Sequence, residues 1–462
     1  MGSAVYFVRH GSKEDDGFRD RVGFDEAGRE AMKRWIGRGL LVLLVLFVLG
    51  ALLAWRAQRE SDRVSRLPST EAYADTTGWS VASLRPLEIQ LPDSVQELGR
   101  VAWEGRGAPI AFDAKDSADA KFDVYFVSPG GGPAECLTCE IPWLAGRNVG
   151  NPAWSADGRF LLLQIENETP LAAAPELSPL IADASYPGFG LSSSLWVYDR
   201  TARTFHLLEE IDGSDGWGVL HPHFSHDGRR VTWARVLSDD GCMGEMQVMV
   251  GDFEPAPEPH LENVRRVGPQ LPRGQRFFET QDFRADEILV ACTPEEGQQH
   301  HFMDLCVLDV GDGSLRRLSA GSGRGGEPGS WEEHAKYLDA DHVLFVSSRG
   351  YPSPVEECDM SSASFMKWLK TDLYVQSLHE PPGGRAAVPE RLTFWNEPDH
   401  EGSCDCGNAL ASDFSWNAAE SAAVLFVQFL DWPRWLPLPI GFDARYFIVD
   451  LKPERAPIEE EK

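Results

Sequence analysis

The sequence predicts an all-β chain of six repeated units behind a single transmembrane helix, and three observations predict it: one uncharged apolar run near the N-terminus, two closely matching strand-turn-strand passages, and weaker copies of the same unit along the rest of the 462 residues. With 42% hydrophobic residues the chain has ample material for a buried core, and 43 Gly with 31 Pro call for many turns. A formal charge of -29 excludes a sequence-independent role on nucleic acid, because phosphate binding needs clustered Lys and Arg. The same charge suits solubility, or the binding of cations or basic proteins.

The apolar run, GLLVLLVLFVLGALLAW at residues 39–55, carries no charge, and residues 35–38 bring it near the roughly 20 residues that cross a bilayer. Trp35 and Trp55 flank it at the depth where amphipathic rings favour the headgroup zone, and Lys33, Arg34 and Arg38 stand on its N-terminal side. The expectation is a short cytoplasmic tail at 1–34, a transmembrane signal anchor at 35–56 and a polar linker at 57–84. The main domain at 85–455 and a charged tail at 456–462 follow. No small-x-small site stands cleanly after the run, which favours an uncleaved anchor over a signal peptide, although Met32-Lys33-Arg34 would make an ordinary start for the latter. The expected location is single-pass in the inner membrane with the main domain periplasmic.

Residues 4–11, AVYFVRHG, resemble the opening strand and Arg-His-Gly motif of histidine phosphatases. By that resemblance His10 would be the phosphate-accepting nucleophile and Arg9 a phosphate holder. A few dozen residues ahead of a membrane helix cannot build the pocket that such chemistry requires, so the segment reads as a short tail.

The two matching passages are Asn151-Pro-Ala-Trp154-Ser155-Ala-Asp157-Gly158 and His221-Pro-His223-Phe224-Ser225-His226-Asp227-Gly228, each followed by an apolar strand. Asp and Gly supply the backbone conformations that a tight hairpin needs. These residues resemble the Pro-x-Phe/Trp-Ser-Pro-Asp-Gly repeat of TolB-like (WD40-like) β-propellers, with Ala156 and His226 in the place of the second proline. Weaker copies align on Trp103, Phe283, Tyr337 and Phe414, roughly 50 to 80 residues apart, so the unit count is six and several units carry loop insertions. The sixth copy stops after its third strand, and residues 87–91 (LEIQL) offer an early strand to complete it. The expectation is therefore a six-bladed propeller closed on itself, with no open edge. Trp103, Trp154, Asp157, Phe224, Asp227, Phe283, Tyr337 and Phe414 are structural anchors in this reading.

Propellers of this kind form half of prolyl-oligopeptidase-type hydrolases, but no Gly-x-Ser-x-Gly nucleophile elbow occurs in the sequence. No catalytic residue is assigned, and the resemblance implies a platform that binds a protein or peptide of the cell envelope. One alternative is a structural subunit of an envelope complex. Another is a metal-dependent enzyme: oligogalacturonate lyases share the general propeller type and hold a metal with axial-funnel histidines. His221 and His223, on one strand near the axial mouth, are the corresponding candidates for a divalent metal, with His226 directed away. No cofactor is otherwise expected.

Eight cysteines fit an oxidising compartment. Cys136 and Cys139 lack the second half of a zinc knuckle and are close enough to bridge locally, whereas Cys404 and Cys406 are expected to seek a distant partner such as Cys358. The acidic loop 396–407 reads as solvated and pinned by disulfide rather than as a calcium loop. The insertions at 171–194 and 321–331 are candidates for partner contact.

Overall fold

The structure is a computed structural model that describes residues 77–453, apart from 169–185, 213–216, 239–243, 272–276, 297, 299, 320–328, 352–368, 380–387, 398–399, 405, 407 and 432–440; before residue 77 it describes 34–35, 38–39, 42–52 and 55. Two units separate at residue 62. In the first, residues 42–52 are helical and their large apolar side chains are exposed. Among the described residues no helix is long and apolar enough to cross a membrane. His10 and most of the linker lie outside the described residues.

The second unit is a ring of six four-stranded antiparallel blades. Strand β1 (Trp79–Pro86) and β2 (Ile89–Gln90) precede the first blade, β3 (Val95–Ala102), β4 (Ile110–Asp116), β5 (Phe122–Val127) and β7 (Glu135–Cys136), with β6 (Gly132–Pro133) between the last two. Blade 2 is β8 (Val149–Trp154), β9 (Phe160–Glu166), β10 (Ser193–Asp199) and β11 (Thr204–Glu209). Blade 3 is β12 (Gly218–Phe224), β13 (Arg230–Ser238), β14 (Glu245–Glu254) and β15 (His260–Val267). Blade 4 is β16 (Phe278–Arg284), β17 (Glu287–Cys292), β18 (Asp304–Asp309) and β19 (Leu315–Arg317), and blade 5 is β20 (Glu332–Tyr337), β21 (His342–Ser347), β22 (Asp372–Ser377) and β23 (Glu390–Arg391). Blade 6 takes three strands from the C-terminal end, β24 (Asn408–Asn417), β25 (Ala422–Asp431) and β26 (Gly441–Pro453), and its fourth is β1. The innermost strands β3, β8, β12, β16, β20 and β24 touch in succession, and β24 returns to β3.

Ring closure is thus as expected, but another segment performs it. Residues 79–86 pair with β26 from Trp79↔Pro453 to Pro86↔Phe447, so the propeller begins inside the stretch 57–84 read as linker. The LEIQL segment instead contributes only the two-residue β2, parallel to β6. The strand that does complete blade 6 shows no apolar alternation, because it is an outer strand with most of its length in solvent.

The core lies between blades. Leu162 and Val197 of blade 2 pack on Val219, Trp233 and Met249 of blade 3. Val424, Phe426 and Tyr446 of blade 6 pack on Phe112 and Tyr125 of blade 1, which seals the ring with aromatic contact. The two strongest repeats fold as their chemistry dictates. Ser155 Oγ donates to Asp157 and accepts the Phe160 N–H, Ser225 does the same with Asp227 and Arg230, and Gly158 and Gly228 take φ of 70°. In blade 6 the residue at the register of Trp154 is Trp416, two beyond Phe414: Trp154 faces Leu161 and Trp416 faces Ala423, whereas Phe414 faces Leu425.

Three disulfides occur among the described residues: Cys136–Cys139, Cys292–Cys306 and Cys404–Cys406. The first matches expectation. Cys404 and Cys406 pair with each other rather than with a distant partner, and Cys358 lies outside the described residues. Cys292–Cys306 staples β17 to β18, a link that spacing alone did not suggest.

Candidate functional site

All six innermost strands bulge at a comparable point. Register shifts fall between Leu98 and Val101, Gly150 and Ala153, Leu220 and His223, Thr280 and Asp282, Glu333 and Lys336, and Ala411 and Asp413. A bulge leaves a residue unpaired and re-aims its side chain, and here the unpaired residues include Arg100, Asn151, His221, Gln281, His334 and Ser412. Asn151, His221 and His334 pass through the bulge with φ of 54°, 44° and 54°, a left-handed conformation that residues with a Cβ adopt only when the surroundings hold them there.

One consequence is a network of buried charge on the propeller axis. Asp413 of blade 6 accepts the Val101 N–H at 2.9 Å and lies 3.2 Å from His334 Nδ1, whose Nε2 is 3.3 Å from Glu333. The Arg100 guanidinium lies 3.1 Å from both His334 ring nitrogens. Burial works against ionisation of Asp413, but the His334 hydrogen bond and charge, with Arg100 behind them, hold its carboxyl below the ordinary aspartate range. For His334 burial disfavours the charged ring, but the Glu333 charge together with the hydrogen bonds to Asp413 and Glu333 outweighs it, so the imidazole is held above its ordinary value. Burial, then the neighbouring Glu279 charge, pushes Glu333 up to about 7.

His221 stands at the centre of this network. Its Nδ1 contacts Glu279 of blade 4, its ring centroid is 5.5 Å from that of His334, and burial depresses its pKa well below the ordinary histidine value. His221, Glu279 and Glu333 each place one possible ligand atom within 4.8 Å of the others. His223 does not join them. The bulge separates the two histidines, and His223 Nδ1 lies 3.3 Å from the Lys336 ammonium. Thus the structure joins the predicted His221 to two acids and sets the predicted His223 apart. His226 pairs with Asp282 at 3.0 Å on a partly exposed edge between blades 3 and 4. The sulfurs of Cys136 and Cys139 lie near Asp123, but their bond to each other removes them as thiolate ligands.

Sequence reasoning missed Arg100, Glu279, Glu333, His334 and Asp413. For Arg100, His334 and Asp413 the signal lay in register: counting three residues back from Trp103, Trp154, Phe224, Tyr337 and, with the register of blade 6 corrected, Trp416 gives Arg100, Asn151, His221, His334 and Asp413, whereas no such count reaches Glu279 and Glu333. Aligning copies on their aromatics for fold, without asking what precedes them, hid this set.

Asp113 accepts the N–H groups of Arg100 at 2.9 Å and Asn151 at 2.7 Å, so it fixes two of the bulges. Burial nevertheless pushes its carboxyl up to about 7. A carboxyl raised in the folded state contributes stability that is complete below the unfolded aspartate value, about 3.9, and is lost as pH rises through about 7. In Asp113→Asn the fall in unfolding free energy between pH 5 and pH 7 is expected to become shallower, by at most about 1.4 kcal/mol per pH unit. Urea unfolding at several pH values measures it; an unchanged slope contradicts the assignment.

No protein-family model matches the sequence, and no curated protein is similar to it at a significant level. Among solved structures the chain is similar to TolB from Acinetobacter baumannii, with 12% identity over 74% of this chain and 63% of that one and a TM-score of 0.40. It is also similar to the β-propeller domain of the trilobed protease from Pyrococcus furiosus, with 13% identity over 77% of this chain and 84% of that one and a TM-score of 0.38. A puromycin hydrolase matches with 14% identity over 74% of this chain and 46% of that one, at a TM-score of 0.41. The chain therefore spans less than two thirds of the length of the Acinetobacter TolB and about half that of the hydrolase, and these likenesses are ones of fold.

Proposed function

We propose that this chain is a single-pass, membrane-anchored extracytoplasmic propeller that binds a protein or peptide rather than transforming a substrate, and that the partner presents basic side chains to the mouth of the axis. The observation that carries the reading is the excess of acid there. Glu104, Glu279, Glu333 and Asp413 gather on or beside the innermost strands against the permanent cations Arg100 and Lys336, in a chain whose formal charge is -29. Acidic walls of low dielectric focus a field that draws cations and accelerates their encounter. The exposed apolar helix at 42–52 supports an anchor, and three disulfides support an oxidising compartment, of which the periplasm is the expected one.

The test is fluorescence anisotropy with the full chain in lipid nanodiscs, titrated against a labelled Lys-rich peptide and a Glu-rich peptide of equal length. The Lys-rich peptide is expected to bind and to weaken about tenfold or more between 50 and 300 mM salt, because added salt shortens the reach of the acidic field. Equal binding of both peptides, or none of either, refutes the reading.

A further inference from the structure

Blades 3, 4 and 5 each bring one side chain of metal-ligand type to the same point on the axis. His221 comes from β12, Glu279 from β16 and Glu333 from β20, and all three are buried, at 4%, 1% and 3% exposure. As a set of hydrogen-bonding groups the cluster is incomplete. His221 Nε2 and Glu279 Oε2 are buried without a hydrogen-bond partner, although each such atom costs free energy on leaving water. The Glu279 and Glu333 carboxylates also lie within 4.8 Å of each other, where two like charges repel unless a proton or a cation stands between them. A proton relieves the two acids but leaves the imidazole nitrogen unsatisfied. A divalent ion relieves all three groups.

We infer that His221, Glu279 and Glu333 hold a divalent first-row transition ion on the propeller axis, of the class of Zn²⁺ or Mn²⁺, with its remaining positions open to water or to a ligand. An imidazole in the set selects this class over Mg²⁺ and Ca²⁺, which prefer oxygen alone. The supporting groups are already in place. His334 lies between Glu333 and Asp413, and Asp413 is itself fixed by the Val101 N–H, so a carboxylate-imidazole relay orients one ligand as the outer partners of bound metals do. Three protein ligands leave at least one coordination position free, and Arg100 stands beside His334 at the edge of the cluster. Because each ligand belongs to a different blade, the ion also ties three blades together, and its binding energy adds to the stability of the ring. The site shares Glu279 and Glu333 with the acidic axis offered to a basic partner, but ion uptake is read by stoichiometry and melting temperature, so its failure and the failure of peptide binding are distinguishable.

The experiment uses the full chain, stripped with a chelator and then titrated with Zn²⁺, Mn²⁺ or Ca²⁺, with elemental analysis for stoichiometry and thermal unfolding for stability. One Zn²⁺ or Mn²⁺ per chain and a higher melting temperature on loading are expected, with no such effect from Ca²⁺. Glu333→Gln and Glu279→Gln, which keep side-chain shape, are each expected to weaken binding about a hundredfold or more, and His221→Ala likewise. His223→Ala, whose ring sits beside Lys336, is expected to keep one ion per chain. Folded wild-type protein that takes up no ion, or a Glu333→Gln chain that still binds one with unchanged affinity, overturns the inference. If the alanine variant fails to fold, the two glutamine variants decide.

Discussion

Replacing Asp372 with alanine is expected to cost the propeller about 3 to 5 kcal/mol, the range for breaking one side of a buried ion pair. Asp372 is fully buried on β22 and meets Arg391 of β23 at 2.6 Å. It also accepts the Thr393 hydroxyl at 2.9 Å and the Trp395 N–H at 2.9 Å, so one carboxylate fixes both the outer strand of blade 5 and the chain that leaves it. Burial pushes its pKa up in spite of the Arg391 charge, a sign that desolvation of this pair is costly. The consequence is specific: Asp372→Ala takes from the guanidinium its buried carboxylate while the Glu397 pair at 2.9 Å stays, whereas Asp372→Ala combined with Arg391→Leu removes both charges and is expected to recover part of the loss. Guanidinium unfolding of the single and double variants measures both effects. A single-variant cost under about 1 kcal/mol would place the pair among those that contribute little.

Removing the closing strand is expected to have a still broader effect. A chain beginning at residue 87 lacks β1 and leaves the long strand β26 with an unpaired edge, while Trp79 and Val81 no longer cover the apolar cluster at the blade 5 and blade 6 junction. An uncovered edge of that length is a template for pairing with another chain. Several ladder hydrogen bonds are lost with it, each worth about 0.5 to 1.5 kcal/mol. Compared with a chain beginning at residue 77, the shorter one is expected to elute as dimer or aggregate and to unfold at a lower temperature with reduced cooperativity. Size-exclusion chromatography and calorimetry on the pair check this. Two monodisperse monomers with equal melting points would mean that β1 decorates the ring without closing it.

What the sequence carried clearly was the turn chemistry. Ser155, Asp157 and Gly158 perform the same local bonding as Ser225, Asp227 and Gly228, so the repeat is written in residues that need only their neighbours to be understood, while the count of six blades came from the weaker aromatic copies. Strand closure was legible as a need, because three strands of blade 6 require a fourth, but not as an assignment: WSVASLRP is largely exposed and has no alternation to betray it. The site was legible in one residue of three. His221 stands out in a His-x-His pattern, while Glu279 and Glu333 are ordinary strand residues until the ring brings β16 and β20 beside β12. His223 misled for the converse reason, since strict alternation takes no account of the bulge between Leu220 and His223. The long insertions at 171–194 and 321–331 fall largely outside the described residues.

The claim on which the account turns is that recognition takes place at the axis. Hydrogen-deuterium exchange of the full chain in nanodiscs, with and without the Lys-rich peptide, addresses it directly. Protection is expected to concentrate on the innermost strands β3, β8, β12, β16, β20 and β24, around Arg100, Glu104 and Asp413. Protection confined to the outer strands β7, β11, β15, β19 and β23 would contradict the account and make the acid-lined axis a structural feature of the ring.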